Sequence, residues 1–347
     1  MLAATDSAAS RATSVPAVEF DVQLTPSDLF RADRAIVLRK LKGFLILSAA
    51  FVLMRSLAGG GLVLLFFIAF LWFCLYWVHS AFAYLGAKSN LRSNRVLSSP
   101  IHYSLSPSGL RTSGPTFWNE QSWASVHDLV ETRQALILRV STAQKSVIPK
   151  RCLSAEASNA LRDFVKRKES LAPQFARSER TAPTPLVTAS FRMTAEDLYW
   201  GFMTMLLRKS FWYAAQLVFA FAFIFMINPQ FLSPLAFVTV GAIFFLYLSI
   251  ALYFSSAQAI KTNVNYQNEL QYALNEKGLD CWGPTFTFHH DWEDYKSILE
   301  TSRAFVLCLS TSQMAILPKR ALTDGGKIET LRILLKMHYR GKLSLKS

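Results

Sequence analysis

Two Pro-Lys-Arg triplets are the residues whose type and spacing best suggest a binding site. Pro149-Lys150-Arg151 ends one β-rich run of the sequence, and Pro318-Lys319-Arg320 ends another. Adjacent cations at a strand end attract anionic head groups, by about 1 kcal/mol for each cation close to a membrane surface. A structural interpretation stays open, in which the proline ends the strand and the cations are solvated at the start of the next helix. The candidate lipid- or partner-binding residues are therefore Lys150, Arg151, Lys319 and Arg320.

A second group of chemically active side chains is His289-His290-Asp291, with Glu293 and Asp294 close behind. Imidazoles and carboxylates bind metals, but adjacent histidines on a strand point to opposite faces and make poor co-ligands. The first half of the chain has Glu120-Gln121-Ser122 at the matching positions. No nucleophile elbow, Walker loop, Rossmann glycine pattern or zinc-protease motif occurs. The sequence thus predicts no catalytic residue, no metal, no cofactor and no enzymatic activity.

Both triplets lie in a stretch that the chain contains twice. The residues common to both copies include Gly114, Pro115, Trp123 and Pro149 in the first half, and Gly283, Pro284, Trp292 and Pro318 in the second. Each pair is separated by 169 positions (318 − 149 = 169), so no insertion or deletion distinguishes the copies here. A constant offset indicates an internal repeat. We interpret these residues as structural anchors, with the two tryptophans in domain cores rather than in ligand sites.

Short β-rich runs and one helix surround each set of anchors. In the first copy, two such runs flank residues 141–144, a pattern that predicts a β-hairpin. Apolar residues recur at helical spacing over 154–168, and Ile328, Leu331 and Leu334 repeat this spacing in the second copy. Each copy therefore predicts a small antiparallel β domain that is closed by a C-terminal helix.

Long uncharged runs precede each β domain. Hydrophobic residues make up 52% of the chain, and the mean hydropathy is +0.24. The segment from Ser210 to Ile260 holds no charged residue and no histidine, with a turn signal at Asn228-Pro229-Gln230. Because a spanning helix needs about 20 apolar residues, we predict four transmembrane helices. They lie at about 41–58, 62–87, 210–227 and 231–257.

Positive charge is concentrated beside these apolar runs, and the formal net charge of the chain is +14. Lysine and arginine favour the cytoplasmic flanks of membrane helices. This rule predicts a multi-pass membrane protein whose termini and β domains are cytoplasmic. It also explains the basic composition without a nucleic-acid partner. The expected partners are membrane lipids and, in addition, a protein partner or a second copy of the chain.

The chain divides into a tail, two repeats and a linker. The predicted boundaries are 1–18 for a disordered tail, 19–168 for repeat 1 with its β domain at 88–168, 169–186 for a proline-containing linker, and 187–347 for repeat 2 with its β domain at 258–347. Each repeat opens on a strand and a helix-capping signal, which is Thr25-Pro26-Ser27-Asp28 in the first and Thr194-Ala195-Glu196-Asp197 in the second.

The order of these motifs resembles the YcxB-like family of bacterial membrane proteins, here in tandem. The resemblance rests on the capped Thr-x-x-Asp-Leu start, the apolar hairpin, the tryptophan, the β-hairpin and the Pro-Lys-Arg before the final helix. It implies a cytoplasmic domain of pleckstrin-homology (PH)-like type on a membrane hairpin, and it implies no reaction. We therefore expect an α+β membrane protein of two repeats, each a transmembrane hairpin followed by a PH-like antiparallel β domain and a C-terminal helix.

The function that we expect is that of a non-enzymatic integral inner-membrane protein whose two PH-like modules bind a protein or anionic lipid. The alternative is a small transporter or channel, or an accessory subunit of one. Each predicted repeat has an even number of spans, so both copies share one orientation. This excludes the inverted repeats common in transporters, although parallel repeats stay possible. The scarcity of charge within the predicted spans also disfavours ion coupling.

Overall fold

The computed structural model of this chain describes residues 18–35, 80, 83–140, 145–171, 184–208, 234–310, 313–324 and 326–346. Within these ranges the protein is α+β, and its strands pair antiparallel with a single parallel exception. The predicted α+β class with antiparallel β domains is therefore confirmed. We call residues 18–171 the first module and residues 184–346 the second module, in each case for the described residues only.

The strands, in chain order, are β1 Val18–Val22, β2 Ile101–Ser106, β3 Gly109–Ser113, β4 Phe117–Gln121, β5 Asp128–Glu131, β6 Ala135–Arg139, β7 Lys145–Pro149, β8 Val187–Arg192, β9 Glu269–Leu274, β10 Gly278–Gly283, β11 Phe286–Asp291, β12 Ser297–Glu300, β13 Ala304–Cys308, β14 Met314–Pro318 and β15 Lys342–Ser344. The helices are α1 at 26–35, α2 at 83–93, α3 Arg95–Ser98, α4 Ala155–Lys166, α5 Lys168–Leu171, α6 Ala195–Arg208, α7 Pro234–Thr262, α8 Val264–Gln267 and α9 Lys327–His338.

One large sheet runs through both modules. Its eight strands follow the order β1-β2-β3-β4-β11-β10-β9-β8, so each module contributes four neighbouring strands. Two smaller sheets complete the β structure, with the order β5-β6-β7 in the first module and β14-β13-β12-β15 in the second. The first module therefore has four strands, then three, then helix α4. The second repeats this order with helix α9 and adds strand β15.

The strands of the large sheet form because apolar and polar residues alternate along them. In β2, Ile101, Tyr103 and Leu105 are buried and the residues between them are partly exposed. Since successive side chains on a strand point to opposite faces, this alternation fixes which face of the sheet covers the core. The buried residues of each module form a large hydrophobic cluster of their own.

The C-terminal helix of each module closes its core. Ser154 caps helix α4, and its hydroxyl accepts a hydrogen bond from the Ala157 amide at 3.0 Å. Leu161 is fully buried, and the ring of Phe164 stacks on Trp123 with centroids 5.2 Å apart. In the second module, α9 buries Leu331, Leu334 and Leu335. Each helix presents an apolar stripe to the sheets, as the sequence periodicity indicates.

The membrane part of the fold prediction is wrong. No helix within the described ranges is both long and apolar enough to cross a membrane. The predicted spans at 41–58 and 210–227, and most of 62–87, lie outside the described residues. The span at 231–257 falls largely on α7, Pro234–Thr262, whose described side chains include both the buried Ser256 and the exposed Tyr253 and Phe254. An uncharged run was therefore not sufficient to identify a span, and the predicted four-span inner-membrane location with cytoplasmic termini loses its basis.

Three smaller predictions fall wholly or partly outside the described residues. The predicted tail at 1–18 is described only at Val18, where β1 begins. The turn at 141–144 between β6 and β7 is not described, although the two strands that it joins pair as a hairpin. Most of the linker at 169–186 is also outside the described ranges, and the second module starts its first strand at Val187.

Candidate functional site

The two Pro-Lys-Arg triplets occupy the same position in their modules. Pro149 is the last residue of β7 and Pro318 the last residue of β14, and a 3-10 turn follows each of them. The amide of Lys150 donates to the carbonyl of Gln134 at 2.8 Å, which ties the turn to the start of β6. The amide of Lys319 makes the equivalent bond to Arg303 at 2.8 Å. The triplet therefore starts a turn that is fixed by main-chain hydrogen bonds.

The arginine of each triplet is ion-paired with the start of a helix. Arg151 Nη2 donates to Asp28 Oδ2 at 2.7 Å, and Arg320 Nη2 donates to Asp197 Oδ2 at 2.6 Å. Asp28 lies in the first turn of α1, where it also accepts from the Thr25 hydroxyl at 2.6 Å. Burial of Asp28 favours its protonated form, but the hydrogen bonds from Arg151 and Thr25 outweigh it and lower the pKa of the carboxyl.

The lysine of the second triplet belongs to a buried ion cluster around Glu300. The Glu300 side chain is 0% exposed, and its oxygens accept from Lys319 Nζ at 2.5 Å and from Arg332 Nη2 at 2.7 Å. The main-chain amide of Lys346 donates to the same carboxylate at 3.1 Å. Burial favours protonation of Glu300, but the hydrogen bonds from Arg332 and Lys319 outweigh it and lower its pKa to about 2. The cluster joins β12, the triplet, α9 and the C-terminal segment.

The first module has the same cluster at its surface. Glu131 Oε1 accepts from Lys150 Nζ at 2.5 Å and from Arg162 Nη2 at 2.9 Å, but the glutamate side chain is 42% exposed. Hydrogen bonds from Arg162 and then from Lys150 lower the pKa of Glu131 to about 2. All four triplet cations thus have carboxylate partners. Their role in binding lipid or a partner stays a prediction, and a ligand there would compete with these ion pairs.

The Gly-Pro pairs lie where one strand of the large sheet ends and the chain turns into the next. A Cβ atom on Gly114 would lie 2.3 Å from the Phe117 ring, and one on Gly283 would lie 2.7 Å from the Phe286 ring. Only glycine leaves room for an aromatic ring at this distance. Farther along, Trp123 and Trp292 are almost completely buried, so both lie in the cores of their modules.

Strands β4 and β11 join the two modules. Their antiparallel register places Asn119 opposite Phe288, and these two positions differ by the same offset as the repeat (288 − 119 = 169). The pairing is extended by a bond from the Ser122 amide to the Thr285 carbonyl at 2.8 Å and by one from Asp291 to Thr116 at 3.0 Å. Both modules therefore use the same edge and the same register, as the two halves of an isologous contact do.

The histidine pair lies at this junction. His289 Nδ1 is 2.8 Å from Asp280 and its Nε2 is 2.9 Å from Asp291, while His290 stacks on Phe117 at 5.8 Å between ring centroids. Burial of His289 lowers its pKa, but the hydrogen bonds that its ring makes to the carboxylates of Asp280 and Asp291 outweigh this effect and raise the pKa. Among the described residues, no group of three or more His, Cys, Asp or Glu side chains is placed to hold a metal ion.

Strand β15 is the feature of this region that sequence reasoning missed. It pairs in parallel with β12, with Ile298 opposite Leu343. Leu343 and Leu345 pack against the core of the second module, so the segment contributes a backbone ladder and two apolar side chains. The alternation Lys342-Leu343-Ser344-Leu345-Lys346 was a signal that would have predicted a strand.

The matching strand of the first module is more exposed. Strand β5 occupies the place of β12 and pairs only with β6 among the described strands. None of its four residues is buried, whereas Ser297, Ile298 and Glu300 of β12 are. The two modules therefore differ at one edge, which an extended segment covers in the second and no described strand covers in the first.

The described architecture is thus an α+β protein of two strand-paired modules, each with a four-stranded contribution to a shared sheet, a small sheet and a closing helix. The sequence model of the family described as YcxB-like protein matches residues 284–335, from the start of β11 through most of α9. This match supports the family resemblance of the second module. No curated protein and no solved structure matches the chain.

Proposed function

We propose that the chain is a tandem duplication of a PH-like module and that it works as a non-enzymatic protein-binding unit. The 169-residue offset and the matching strand orders support the duplication. So do equivalent edge-to-face contacts between the paired helices, Phe30 with Tyr84 at 5.7 Å and Tyr199 with Tyr253 at 6.0 Å. Four strands, three strands and a C-terminal helix are the order that a PH-like module requires.

The observation that carries the binding proposal is the pairing of β15 with β12. The segment that contains β15 pairs with the edge of β12 through its main chain. Its two leucines, Leu343 and Leu345, pack against the core of the second module. Strand addition of this kind gives affinity through backbone hydrogen bonds and specificity through alternate side chains. The second module thus holds one extended peptide already, which is its own C-terminal segment.

A protein ligand accounts for the site better than an anionic lipid does. Lys150, Arg151, Lys319 and Arg320 are each engaged by a carboxylate, and the pairs are equivalent in the two modules. A phosphate group would have to displace Glu131, Glu300, Asp28 or Asp197 before it reached these cations. The pairing of an extended segment with β12 leaves all four of these ion pairs in place.

The test is to remove the resident strand and supply it as a peptide. The chain is truncated after Gly341, and a fluorescent peptide of residues 342–347 is titrated while its anisotropy is measured. We expect saturable binding in the micromolar range, and much weaker binding of a control peptide in which both leucines are replaced by serine. Circular dichroism and a thermal melt check that the truncated chain is folded. A folded chain that does not bind the peptide, or that binds both peptides equally, contradicts the proposal.

A further inference from the structure

We propose that the junction between the two modules is a pH-sensitive contact, which is held by a doubly protonated His289 ring and loosens when that ring loses its proton. His289 lies on β11 and is opposite Trp118 of β4, so it faces the first module across the junction. The contact involves β4, β10 and β11, and it is independent of the proposed strand addition at β12.

Both nitrogens of the His289 ring face a carboxylate. Nδ1 lies 2.8 Å from Asp280 Oδ1, and Nε2 lies 2.9 Å from Asp291 Oδ1. A neutral imidazole has one N–H donor and one acceptor, whereas an ionised carboxylate only accepts. The charged ring donates to both carboxylates, but either neutral tautomer places a nitrogen lone pair against an oxygen lone pair. The two distances therefore fit the charged ring.

The surroundings of the ring give it little alternative to these two bonds. The side chains of His289 and Asp280 are 15% and 11% exposed. Asp280 Oδ2 also accepts from Asn275 Nδ2 at 2.9 Å, which holds the carboxylate in the position that faces His289. Leaving a buried polar group without its hydrogen bond costs more than the bond itself contributes. Loss of the proton therefore favours rotation of the ring away from its carboxylates.

Rotation of the ring changes the contact between the modules. The His289 ring stacks on Trp118, with ring centroids 6.4 Å apart and planes inclined by 14°. On the other side of the sheet, His290 stacks on Phe117. Both histidines of β11 thus pack on aromatic side chains of β4. A His289 ring that leaves its two carboxylates also leaves the face of Trp118, and the junction loses this stacking contact.

Two further charged groups lie on the His289 side of the sheet. Successive residues of a strand alternate between faces, so Glu120 of β4 is on this side, and Arg111 is opposite it on β3. Their side chains form an ion pair at 3.6 Å, in which the two charges offset each other. On β9, beyond β10, the residue in line is the uncharged Ala273. The charge balance at His289 is therefore set mainly by its own two carboxylate partners.

The neighbouring histidine does not require a charge in the same way. His290 Nδ1 is 3.2 Å from Asp294 Oδ2, and the other oxygen of this carboxylate accepts from the Thr116 hydroxyl. A neutral imidazole with its proton on Nδ1 makes this bond as the charged ring does. The pH sensitivity of the junction therefore belongs to His289.

The direction of the pH dependence follows from the folded-state pKa of His289. Burial lowers this pKa, but the hydrogen bonds to Asp280 and Asp291 outweigh burial and raise it above the ordinary value of 6.5. A group whose pKa is raised by folding contributes stability that is complete below its unfolded-state pKa and is lost as the pH rises through its folded-state pKa. The junction is therefore tight below about pH 6.5 and loosens as the pH becomes alkaline.

The test is amide hydrogen exchange on the full chain from pH 5 to pH 9, corrected for the intrinsic rate of each amide. We expect the amides of 117–121 and 286–291 to lose protection as the pH rises. The loss should reach about tenfold for each unit by which folding raises the pKa of His289. Strands away from the junction, β2 at 101–106 and β13 at 304–308, should keep their protection.

Three variants assign the effect to the His289 ring. His289→Gln should remove the pH dependence, because glutamine does not titrate in this range. His102→Gln is the matched control and should keep it, since His102 also lies near two carboxylates, Asp21 at 2.9 Å and Glu19 at 3.8 Å, but is 45% exposed and pairs β2 with β1. Asp291→Asn offers an N–H donor to the neutral ring and should reduce the loss of protection.

Several outcomes overturn the inference. These are equal protection of 117–121 and 286–291 at both ends of the pH range, an equal loss in 101–106 and 304–308, and a loss that persists in His289→Gln. Carbon-13 NMR of the labelled histidine rings provides a second measurement, in which the signal that Asp291→Asn shifts most identifies His289. A pKa of this ring at or below 6.5 in the unaltered chain contradicts the proposal even if His289→Gln fails to fold.

Discussion

Replacing Glu300 with glutamine should destabilise the protein much more than replacing Glu131. Both glutamates bind the lysine of a Pro-Lys-Arg triplet and an arginine of the closing helix, with closely similar distances. The difference lies in burial, since the Glu300 side chain is 0% exposed and the Glu131 side chain is 42% exposed. The two substitutions are therefore a matched pair that isolates the effect of burial on one ion cluster.

The expected loss of stability in Glu300→Gln follows from the lowered pKa of Glu300 and from its ion-pair partners. Lowering the pKa from 4.5 to about 2 corresponds to about 3 kcal/mol of stability when the carboxylate is ionised. Removing one partner of a buried ion pair costs about 3–5 kcal/mol, which agrees in size. The pKa of Glu131 is equally low, but solvent screens an exposed pair, so we expect about 1 kcal/mol or less for Glu131→Gln.

The assay is urea unfolding at pH 7 and at pH 3, followed by circular dichroism. The Glu300 carboxylate has a lowered folded-state pKa, so its contribution is fully present above about pH 4.5 and is lost as the pH falls towards 2. Glu300→Gln should therefore shift the midpoint strongly at pH 7 and less at pH 3. Equal losses for the two variants at pH 7, or a larger loss for Glu131→Gln, would refute the reasoning.

Other substitutions test the module junction and the C-terminal strand. Thr116→Val removes the 2.5 Å hydrogen bond to Asp294, whose side chain is 0% exposed, and should cost about 1–3 kcal/mol in urea unfolding. The exposed control Thr188→Val should stay within about 0.5 kcal/mol, and a matching loss would contradict the role of the junction. Leu343→Ala should cost about 1–2 kcal/mol and accelerate proteolysis after residue 341; unchanged proteolysis would contradict the docking of β15.

Local periodicity predicted the elements but not how their edges pair. The helical spacing of Leu331 and Leu334 and the hairpin of β6 and β7 follow from side-chain patterns within a few residues. The pairing of β4 with β11 joins strands that are far apart in the sequence, and no residue pattern within either strand predicts which strand it pairs with. The membrane prediction rested on uncharged runs, which describe composition alone, whereas no helix of the described residues is both long and apolar enough to cross a membrane.

For the candidate site, too, the sequence predicted which residues recur but not which residues they contact. The repeat drew attention to Lys150 and Lys319, which do lie in equivalent places. It did not reveal that Glu131 and Glu300, which also recur at the repeat offset, form ion pairs with these two lysines. Ion pairs between a strand end and a helix depend on the packing of the module, so they become visible only when the fold is known. The difference in burial between β5 and β12 likewise depends on neighbouring segments, such as β15 beside β12, and cannot be predicted from the two strands alone.

Amide hydrogen exchange tests strand addition at β12 most directly. We predict that the amides of 297–300 exchange slowly in the full chain because β15 covers their edge. They should exchange faster in the chain that is truncated after Gly341, and they should slow again when the peptide of residues 342–347 is added at saturating concentration. If truncation leaves their exchange unchanged, or if the peptide does not restore their protection, β12 does not bind an extended segment.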